Sequence, residues 1–366
     1  MAYGTVNADV IQTSTTGGIL GAGNASIMKN RIINGAMVID QRNAGASGTA
    51  NAYTVDRWGY YGTQSSKGTW QQNAGSVTAP VGFSNYLGFT SSSAYSVTST
   101  DNFVFYQSIE GFNFADLGFG TANAKTITLS FWARSSLTGT FGGVFANFAF
   151  SRCYPFTYSI PTANTWTQIS VTIAGDTSGT WVGATNAGAA TLQFGLGTGS
   201  TYSGTAGAWS STNYQSATGA TSVVGTSGAT FYITGVQLEV GSSATGFEYV
   251  NYQTSLANCQ RYYAKLNNDG VGDGFIAIGG QISTTSGWFV INNPVTMRAE
   301  PTVTFSSINV TDSIAWATSA TLTSTNAAYN ATQVTCSMAA NGAQYRPVAL
   351  TINTNTTGFV SLSSEL

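Results

Sequence analysis

The charged residues of this chain gather near its beginning. The stretch NRIINGAMVIDQRNAG and the following YTVDRWGYYG carry Arg31, Asp40, Arg42, Asp56 and Arg57, although only 7% of all residues are charged. Asp40 and Asp56 have the residue type of a catalytic carboxylate pair or of ligands for a hard cation such as calcium. Alternatively, the five charges form ion pairs that pin the first strand and the following turn to the rest of the fold.

The charge balance of this cluster favours structural ion pairs over catalysis or cation binding. The charges nearly cancel, and no third or fourth acid lies nearby in the spacing of a calcium loop. The sequence therefore implies no cofactor and identifies no metal ligands. A structural calcium ion is an alternative that the sequence leaves open. We expect the cluster to organise the fold, with Trp58 buried as a core plug.

Missing residue types narrow the chemistry further. The chain has no histidine, which removes the commonest general base, the Ser–His and Cys–His nucleophile pairs and the commonest transition-metal ligand. Cys153, Cys259 and Cys336 are far apart and form no C-x-x-C motif, so we expect buried free thiols. A net charge of -2 with only 12 lysines and arginines argues against nucleic acid as a partner.

The neutral polar composition suits sugar recognition, in which an aromatic ring stacks on the apolar face of a sugar. The best candidates lie in Gly/Ser-rich loops: Tyr202, Trp209 and Tyr214 in GSTYSGTAGAWSSTNYQSATGA, and Trp181 in TSGTWVGATN. The alternative is that they pack under their own loops or against a neighbouring subunit. Weaker candidates are Trp288, Trp316 and Tyr345, whereas Tyr262 and Tyr263 are expected in a core or an interface.

The elements that would position these residues are strands. KTITLSFWAR, TWTQISVTIAG and ATLQFGLG alternate apolar and polar residues with a period of two, and the parity shift in TFYITGVQLEVG around Gly235 is typical of a bulge. Helical spacing occurs only from about Thr254 to Cys259. The pattern predicts an all-β protein with two antiparallel β-sandwich domains of the jelly-roll kind.

Composition divides the chain into three parts. Residues 1–29 show no alternation and form a short extended N-terminal segment, residues 30–250 hold the strongest strands, and residues 251–366 form a smaller β-sandwich. The first residues lack the features of a signal peptide, and no apolar run approaches the ~20 residues of a membrane span. We therefore expect synthesis in a cytoplasm and no membrane insertion.

Several separate motifs resemble one group of proteins. MKNRIINGAMVIDQRN, YTVDRWGYY, FYITGVQLEVGSSATGFEYVNYQTSLANCQRYY, PVTMRAEPTVTFSS and FVSLSSEL are similar, in this order, to bacteriophage virion proteins of the tail-fibre kind. ITLSFWAR and YITGVQLEVG resemble strands of jelly-roll carbohydrate-binding modules. The first resemblance spans nearly the whole chain, whereas the second covers only the part before residue 250.

The resemblance implies a virion protein made in the host cytoplasm. It implies a homotrimer that attaches to other virion proteins through residues 1–29 and presents its distal part to a glycan of the host surface. The small number of acids and the lack of histidine further predict that the chain is not an enzyme. Alternatives are a decoration, head or collar fibre without receptor binding, and a sugar-binding adhesin of a bacterium.

A glycan depolymerase is a further alternative, because two carboxylates about 5 to 10 Å apart are its basic requirement. The chain offers Asp101, Glu110, Asp116, Asp176, Glu239 and Glu248. Acids are few, however, and the long β-helix usual in the phage tailspike depolymerases that this group resembles is absent from the sequence pattern.

Overall fold

The fold is taken from a computed structural model. It describes residues 11–12, 19–20, 29–267, 274–312, 317–339, 343–352 and 358–366. The expected anchor, residues 1–29, lies outside the described residues except for Lys29 and the short antiparallel pair Ile11–Gln12 and Ile19–Leu20.

The described elements are mostly strands. Before residue 250 they are β1 (Ile11–Gln12), β2 (Ile19–Leu20), β3 (Ala52–Tyr53), β4 (Gly59–Gly62), β5 (Gly68–Gln72), β6 (Leu87–Ser91), β7 (Asn102–Glu110), β8 (Ile127–Ser135), β9 (Gly139–Asn147), β10 (Cys153–Ile160), β11 (Thr167–Ile173), β12 (Gly188–Thr198), β13 (Ser203–Gly204), β14 (Ser216–Ala217) and β15 (Thr230–Val240). After it follow α1 (Tyr252–Gln260), β16 (Tyr263–Asn267), β17 (Gly274–Ser283), β18 (Ser286–Asn292), β19 (Thr302–Ser306), β20 (Ile308–Thr311), β21 (Ala317–Ala327), β22 (Ala331–Met338), β23 (Pro347–Ile352) and β24 (Phe359–Ser363). Short 3-10 turns lie at Ala74–Ser76, Gly111–Asn113 and Ala115–Leu117.

Residues 30–250 form the two-sheet antiparallel sandwich that the alternation predicts. One sheet has six strands in the order β10-β9-β12-β7-β4-β3, and the other has five in the order β11-β8-β15-β6-β5. Aromatic side chains fill the space between them, such as Phe131 of β8 against Phe194 of β12, with ring centroids 4.9 Å apart. Such pairs add about 0.5–1.5 kcal/mol each to the stabilisation from buried area.

Local sequence signals are confirmed at several elements. The expected bulge is present, because the pairing of β15 with β8 shifts register between Thr234 and Gln237, and Gly235 has φ +61°. The expected helix is present as α1 and is slightly longer than its sequence signal, with Asn251 as an N-cap that accepts a hydrogen bond from the Thr254 N–H. The three cysteines are free and buried.

The second part closes into a barrel, where the sequence predicted a smaller β-sandwich. The strands β17-β18-β22-β21-β20-β23 form a closed six-stranded barrel, and β16-β24-β19 form a separate three-stranded sheet. Register shifts in β17, between Phe275 and Ala277 and between Gln281 and Ser283, bend the strand so that it pairs on both sides. Alternation predicts which side chains face inward in either arrangement, but it does not predict whether the sheet closes.

The described residues contain no helix that is long and apolar enough to span a membrane.

Candidate functional site

A groove crosses the outer face of the six-stranded sheet. Its volume is about 390 Å³, and its lining residues come from three strands, four loops and the last residue of the sequence. They are Tyr61, Thr63, Asn102, Val104, Tyr106, Ser108, Phe148, Phe150, Thr191, Gln193, Tyr202, Asn213, Gln215 and Leu366. A cavity of this size with polar groups at its floor falls within the range of small-molecule sites.

Strand alternation places the floor of the groove. In β12, Leu192, Phe194 and Leu196 are fully buried in the sandwich core, so Thr191 and Gln193 face outward. In the same way β7 buries its phenylalanines inward and presents Tyr106 to the groove. The outward face of this sheet is therefore polar and aromatic.

The floor holds an unsatisfied hydrogen-bond acceptor. Gln193 is only 6% exposed, and its Oε1 has no hydrogen-bond partner among the described residues. Next to it in β12, Thr191 Oγ1 lies 3.3 Å from Ser108 Oγ. Leaving a buried polar atom unpaired costs about 1–3 kcal/mol.

Aromatic rings border this floor. Tyr61 of β4 is 44% exposed and Phe148, after β9, is 43% exposed, while Tyr106, Phe150 and Tyr202 are half-buried. A flat ring that is partly open to solvent offers the stacking surface that the apolar face of a sugar requires. None of the lining residues carries a charged side chain, so the groove matches a neutral ligand rather than an acidic one.

Of the four predicted glycan contacts, only Tyr202 lines this groove. Tyr214 is half-buried against Gly204 and the small cluster of Val144, Ala146 and Cys153.

Trp181 and Trp209 are half-buried in an aromatic cluster at the edge of the sandwich core. Their rings lie 5.6 Å apart at 88°, and Phe119 contacts both. Trp209 Nε1 donates to the Ala174 carbonyl oxygen at 2.8 Å. These contacts fit packing under the loop, the alternative stated above; glycan contact by these two residues stays a prediction.

The weaker candidates are dispersed over the second part. Trp288 is 40% exposed on β18 and Tyr345 is 83% exposed, whereas Trp316 lies outside the described residues. Tyr262 and Tyr263 are buried, as expected for core or interface residues.

Sequence reasoning missed Tyr61, Tyr106, Phe148, Phe150 and Gln193. Loop composition was the signal that the sequence offered, whereas half of the lining residues lie in strands. One usable signal was present: Thr191 and Gln193 are polar residues between buried apolar ones, which marks the outward face of that strand.

The charged residues near the beginning of the chain pair with residues that are more distant in sequence than expected. Arg31 pairs with Asp116 of the sandwich at 2.8 Å, but Arg42 and Arg57 both pair with Glu365, far along the chain. Asp40 accepts hydrogen bonds from the backbone N–H groups of Asn43 and Gly45.

Trp58 is fully buried, which confirms its predicted role as a core plug. Arg42 and Arg57 pair with a residue of the second part, so these two arginines tie the sandwich to that part as well as organising their own loop.

Asp56 is the buried carboxylate of this cluster. It accepts hydrogen bonds from the backbone and the side-chain amide of Gln41, and Gln41 Nε2 also donates to the Tyr263 carbonyl oxygen at 2.9 Å. Burial raises the pKa of Asp56 to about 7, although the hydrogen bonds from Gln41 and the charge of Arg42 oppose the shift. Burial also raises the pKa of Asp40. No group of three or more potential metal-ligating side chains occurs among the described residues.

The other acids are held by local partners. Glu110 accepts hydrogen bonds from Arg261 and Tyr262, and Asp176 pairs with Arg152 at 2.7 Å. The remaining contacts are those of Asp116 with Arg31, Glu239 with Thr245 and Gln237, and Glu248 with the Asn30 N–H.

Asp101 is an example of an acid that accepts several hydrogen bonds. Its carboxylate accepts hydrogen bonds from Thr98, Thr63 and Tyr95. Burial raises its pKa, but these hydrogen bonds outweigh the burial and hold the pKa below its usual value.

A second groove, of about 560 Å³, lies between residues 30–38 and residues 247–261. Its charged groups are engaged: Glu248 accepts from the Asn30 N–H at 2.6 Å, and Arg31 and Arg261 pair with acids of the sandwich. The groove on the six-stranded sheet is therefore the better candidate, because it alone of the two combines stacking rings with the unpaired oxygen of Gln193.

The fold and the groove together define a class: an all-β protein whose jelly-roll-like sandwich carries a groove that is bordered by aromatic rings and lined by no charged side chain among the described residues. No protein-family model matches the sequence, and no curated protein matches it.

Solved structures show distant similarity. The enzymatically active domain of bacteriophage CBA120 tailspike protein 4 is 16% identical, with a TM-score of 0.33 over 58% of this chain and 22% of that chain. The module TmCBM61, solved with β-1,4-galactotriose, is 9% identical, with a TM-score of 0.31 over 58% of this chain and 99% of that chain.

The family 11 carbohydrate-binding module from Clostridium thermocellum, solved with a β-1,3-1,4-mixed-linked tetrasaccharide, is 11% identical, with a TM-score of 0.29 over 56% of this chain and 100% of that chain. Such low identities and TM-scores support no conclusion about function, which has to be inferred from the residues of this chain.

Proposed function

We propose that this chain is a non-enzymatic bacteriophage virion protein of the tail-fibre kind, which binds a neutral glycan of the host surface in the groove of its sandwich. The virion role rests on the resemblance of its motifs to tail-fibre proteins. The binding role rests on the groove. In this proposal residues 1–29 attach the chain to other virion proteins after its synthesis in the host cytoplasm.

One observation carries the binding role: a groove that the described residues line without a charged side chain contains both the exposed ring of Tyr61 and the buried, unpaired oxygen of Gln193. Tyr61 supplies the stacking surface, and Gln193 supplies an acceptor for a sugar hydroxyl. Because no lysine or arginine lines the groove, a uronate or sialate would bury a carboxylate without a partner, at a cost of several kcal/mol. The site therefore favours neutral hexoses.

Binding is favoured over depolymerisation by the position of the acids. Hydrolysis of a glycan by the usual route needs two carboxylates on either side of the scissile bond. The residues that line the groove include no aspartate or glutamate, and the candidate acids are engaged elsewhere in ion pairs and hydrogen bonds.

The homotrimer of this proposal has a suitable contact surface on the barrel. The outer face of β17 and β18 exposes Phe275, Ile278, Ile282, Trp288 and Val290, and residues 274–292 contain no charged residue. A neutral apolar face of several hundred Å² is typical of a contact between protein chains. The same face favours a second candidate function, a structural fibre or decoration that contacts only virion proteins.

The decisive experiment is binding of the purified chain to defined polysaccharides. Neutral probes are laminarin, β-1,4-galactan and mixed-linkage β-glucan, together with the extracted neutral glycans of candidate hosts; alginate and polygalacturonate are the anionic probes. Affinity electrophoresis measures binding, and a reducing-end assay in the same samples measures cleavage. We expect retention by at least one neutral probe, no retention by the anionic ones and no release of sugar.

Point variants connect the binding to the groove. Tyr61→Ala and Gln193→Ala should each weaken binding about tenfold, or about 1.4 kcal/mol. Tyr329→Ala is the matched control, because Tyr329 is similarly exposed (48%) but lies outside the groove. Binding that survives both groove variants would place the site elsewhere. Folded protein that binds none of the probes would favour the structural fibre, and sugar release would favour the depolymerase.

A further inference from the structure

The groove on the sandwich has one lining residue from the other end of the chain. Leu366 lines it and is half-buried there. Its carbonyl oxygen accepts a hydrogen bond from the Tyr53 hydroxyl at 2.9 Å, and the Tyr53 ring lies 6.2 Å from that of Tyr106, which also lines the groove. Leu366 therefore stands on the Tyr106 side of the floor.

The residue before it is fixed by buried charge. The Glu365 carboxylate pairs with Arg42 at 2.9 Å and with Arg57. Arg57 is 1% exposed, and its Nη2 also donates to the carbonyl oxygen of Ser108, a residue of the groove floor, at 2.6 Å. Because an unpaired buried charge is costly, this arrangement holds the backbone at Glu365 in one place relative to β7.

A third arginine fixes the same segment from the second part of the chain. Arg298 donates from Nε to the Ser364 carbonyl oxygen and from Nη2 to the Glu365 carbonyl oxygen, both at 2.7 Å. In a chain with only 12 lysines and arginines, three arginines hold residues 364 and 365, directly before Leu366.

We propose that Leu366 is a wall of the glycan site and contacts the bound sugar, and that Glu365 is the positioning residue that holds it there. The proposal rests on the proposed glycan binding. It makes the site a joint product of both parts: the sandwich supplies the floor, and the second part supplies a wall. The apolar face of a neutral sugar on the Tyr106 side of the groove is the matching ligand surface.

Binding by side-chain variants of the full chain tests the contact. The probe is whichever of laminarin, β-1,4-galactan and mixed-linkage β-glucan the native chain retains most strongly. Leu366→Ala should weaken retention about fivefold, and Leu366→Met, which restores the apolar volume, should return it to within about twofold of the native value. Val38→Ala, which removes a partly exposed aliphatic residue outside this groove, should have no effect.

A labelling measurement tests the positioning without any glycan. The variant Leu366→Cys places a thiol at the groove that iodoacetamide alkylates, while the three native cysteines are buried. Adding Glu365→Gln to this variant should increase the labelling rate several-fold, since the segment loses its ion pairs. Equal rates with and without Glu365→Gln would overturn the positioning role.

The outcomes separate this inference from the function on which it rests. If Tyr61→Ala weakens binding but Leu366→Ala leaves it unchanged or strengthens it, the wall is refuted and the proposed function stands. If neither the native chain nor any variant binds a neutral probe, the proposed function is refuted. The proposed sugar contact of Leu366 is then refuted as well, because it depends on that function. Circular dichroism of each variant confirms that binding is compared between folded proteins.

Discussion

The buried carboxylate of Asp56 makes the stability of this protein depend on pH in an unusual range. Asp56 is fully buried and its pKa is raised from 3.8 to about 7, with burial as the main cause. The charges nearby act in both directions, because Arg42 lowers this pKa and Glu365 raises it. Since the chain contains no histidine, no other side-chain type has its ordinary pKa between pH 5 and 8.

The sign and the size of the effect follow from linkage. A carboxyl group whose pKa is higher in the folded state binds its proton more tightly there, so the contribution of Asp56 to stability is greatest at low pH and falls as the pH rises from about 4 to about 7. A shift from 3.8 to about 7 amounts to about 4 kcal/mol in total. About 2.5 kcal/mol of that falls between pH 5 and pH 7.5.

The perturbation that isolates this effect is Asp56→Asn, which keeps an acceptor for Gln41 but cannot ionise. Urea denaturation of both proteins at pH 5 and pH 7.5 measures the difference in unfolding free energy. The advantage of the variant over the native chain should grow by about 2–3 kcal/mol between the two pH values. The contribution of Asp40 cancels in this comparison, because that residue is the same in both proteins.

A surface carboxylate provides the control. Asp116→Asn, which removes one partner of an ion pair whose aspartate side chain is 50% exposed, is measured in parallel at both pH values. A difference between the native chain and Asp56→Asn that does not change with pH would show that Asp56 is already ionised in the folded protein, and would refute the reasoning.

Three further predictions concern the core, the interface and the barrel. Trp209→Ala should lower the unfolding free energy by about 2–3 kcal/mol in urea denaturation, through lost packing of a half-buried ring. Glu110→Gln should cost about 3 kcal/mol in the same assay, because Arg261 loses its charged partner at the junction of the two parts. Ile278→Lys, at a position 79% exposed, should shift the chain from oligomer to monomer in sedimentation equilibrium; a native chain that is already monomeric would contradict this use of the barrel face.

Much of the fold could be predicted from the sequence because strand alternation is local. The burial of Leu192, Phe194 and Leu196 follows from a two-residue period that any antiparallel sandwich preserves. Gly235 marked its bulge because the apolar parity changes at that residue. The closed barrel could not be predicted in the same way, since closure depends on the pairing of β17 with β23, whose partner residues lie 67 to 78 positions further along the chain.

The candidate site was less predictable than the fold. The loop segment around Tyr202 was found through its composition, and Tyr202 does line the groove. Trp181 and Trp209 share that composition, but a loop sequence does not show which rings turn toward the core. Phe119 and its neighbours decide that in the folded chain.

The sequence by itself determined that the protein is all-β, that histidine chemistry is absent, that the cysteines are free thiols, and that Trp58 lies in the core. These properties depend on residue type and on neighbours along the chain. Only the tertiary structure decided that Arg57 pairs with Glu365, 308 positions away, and that Tyr61, Gln193 and Leu366 meet in one groove. Contacts of this kind depend on which strands become neighbours in a sheet. The strand order is selected by the packing free energy of the whole sandwich rather than by any single segment of it.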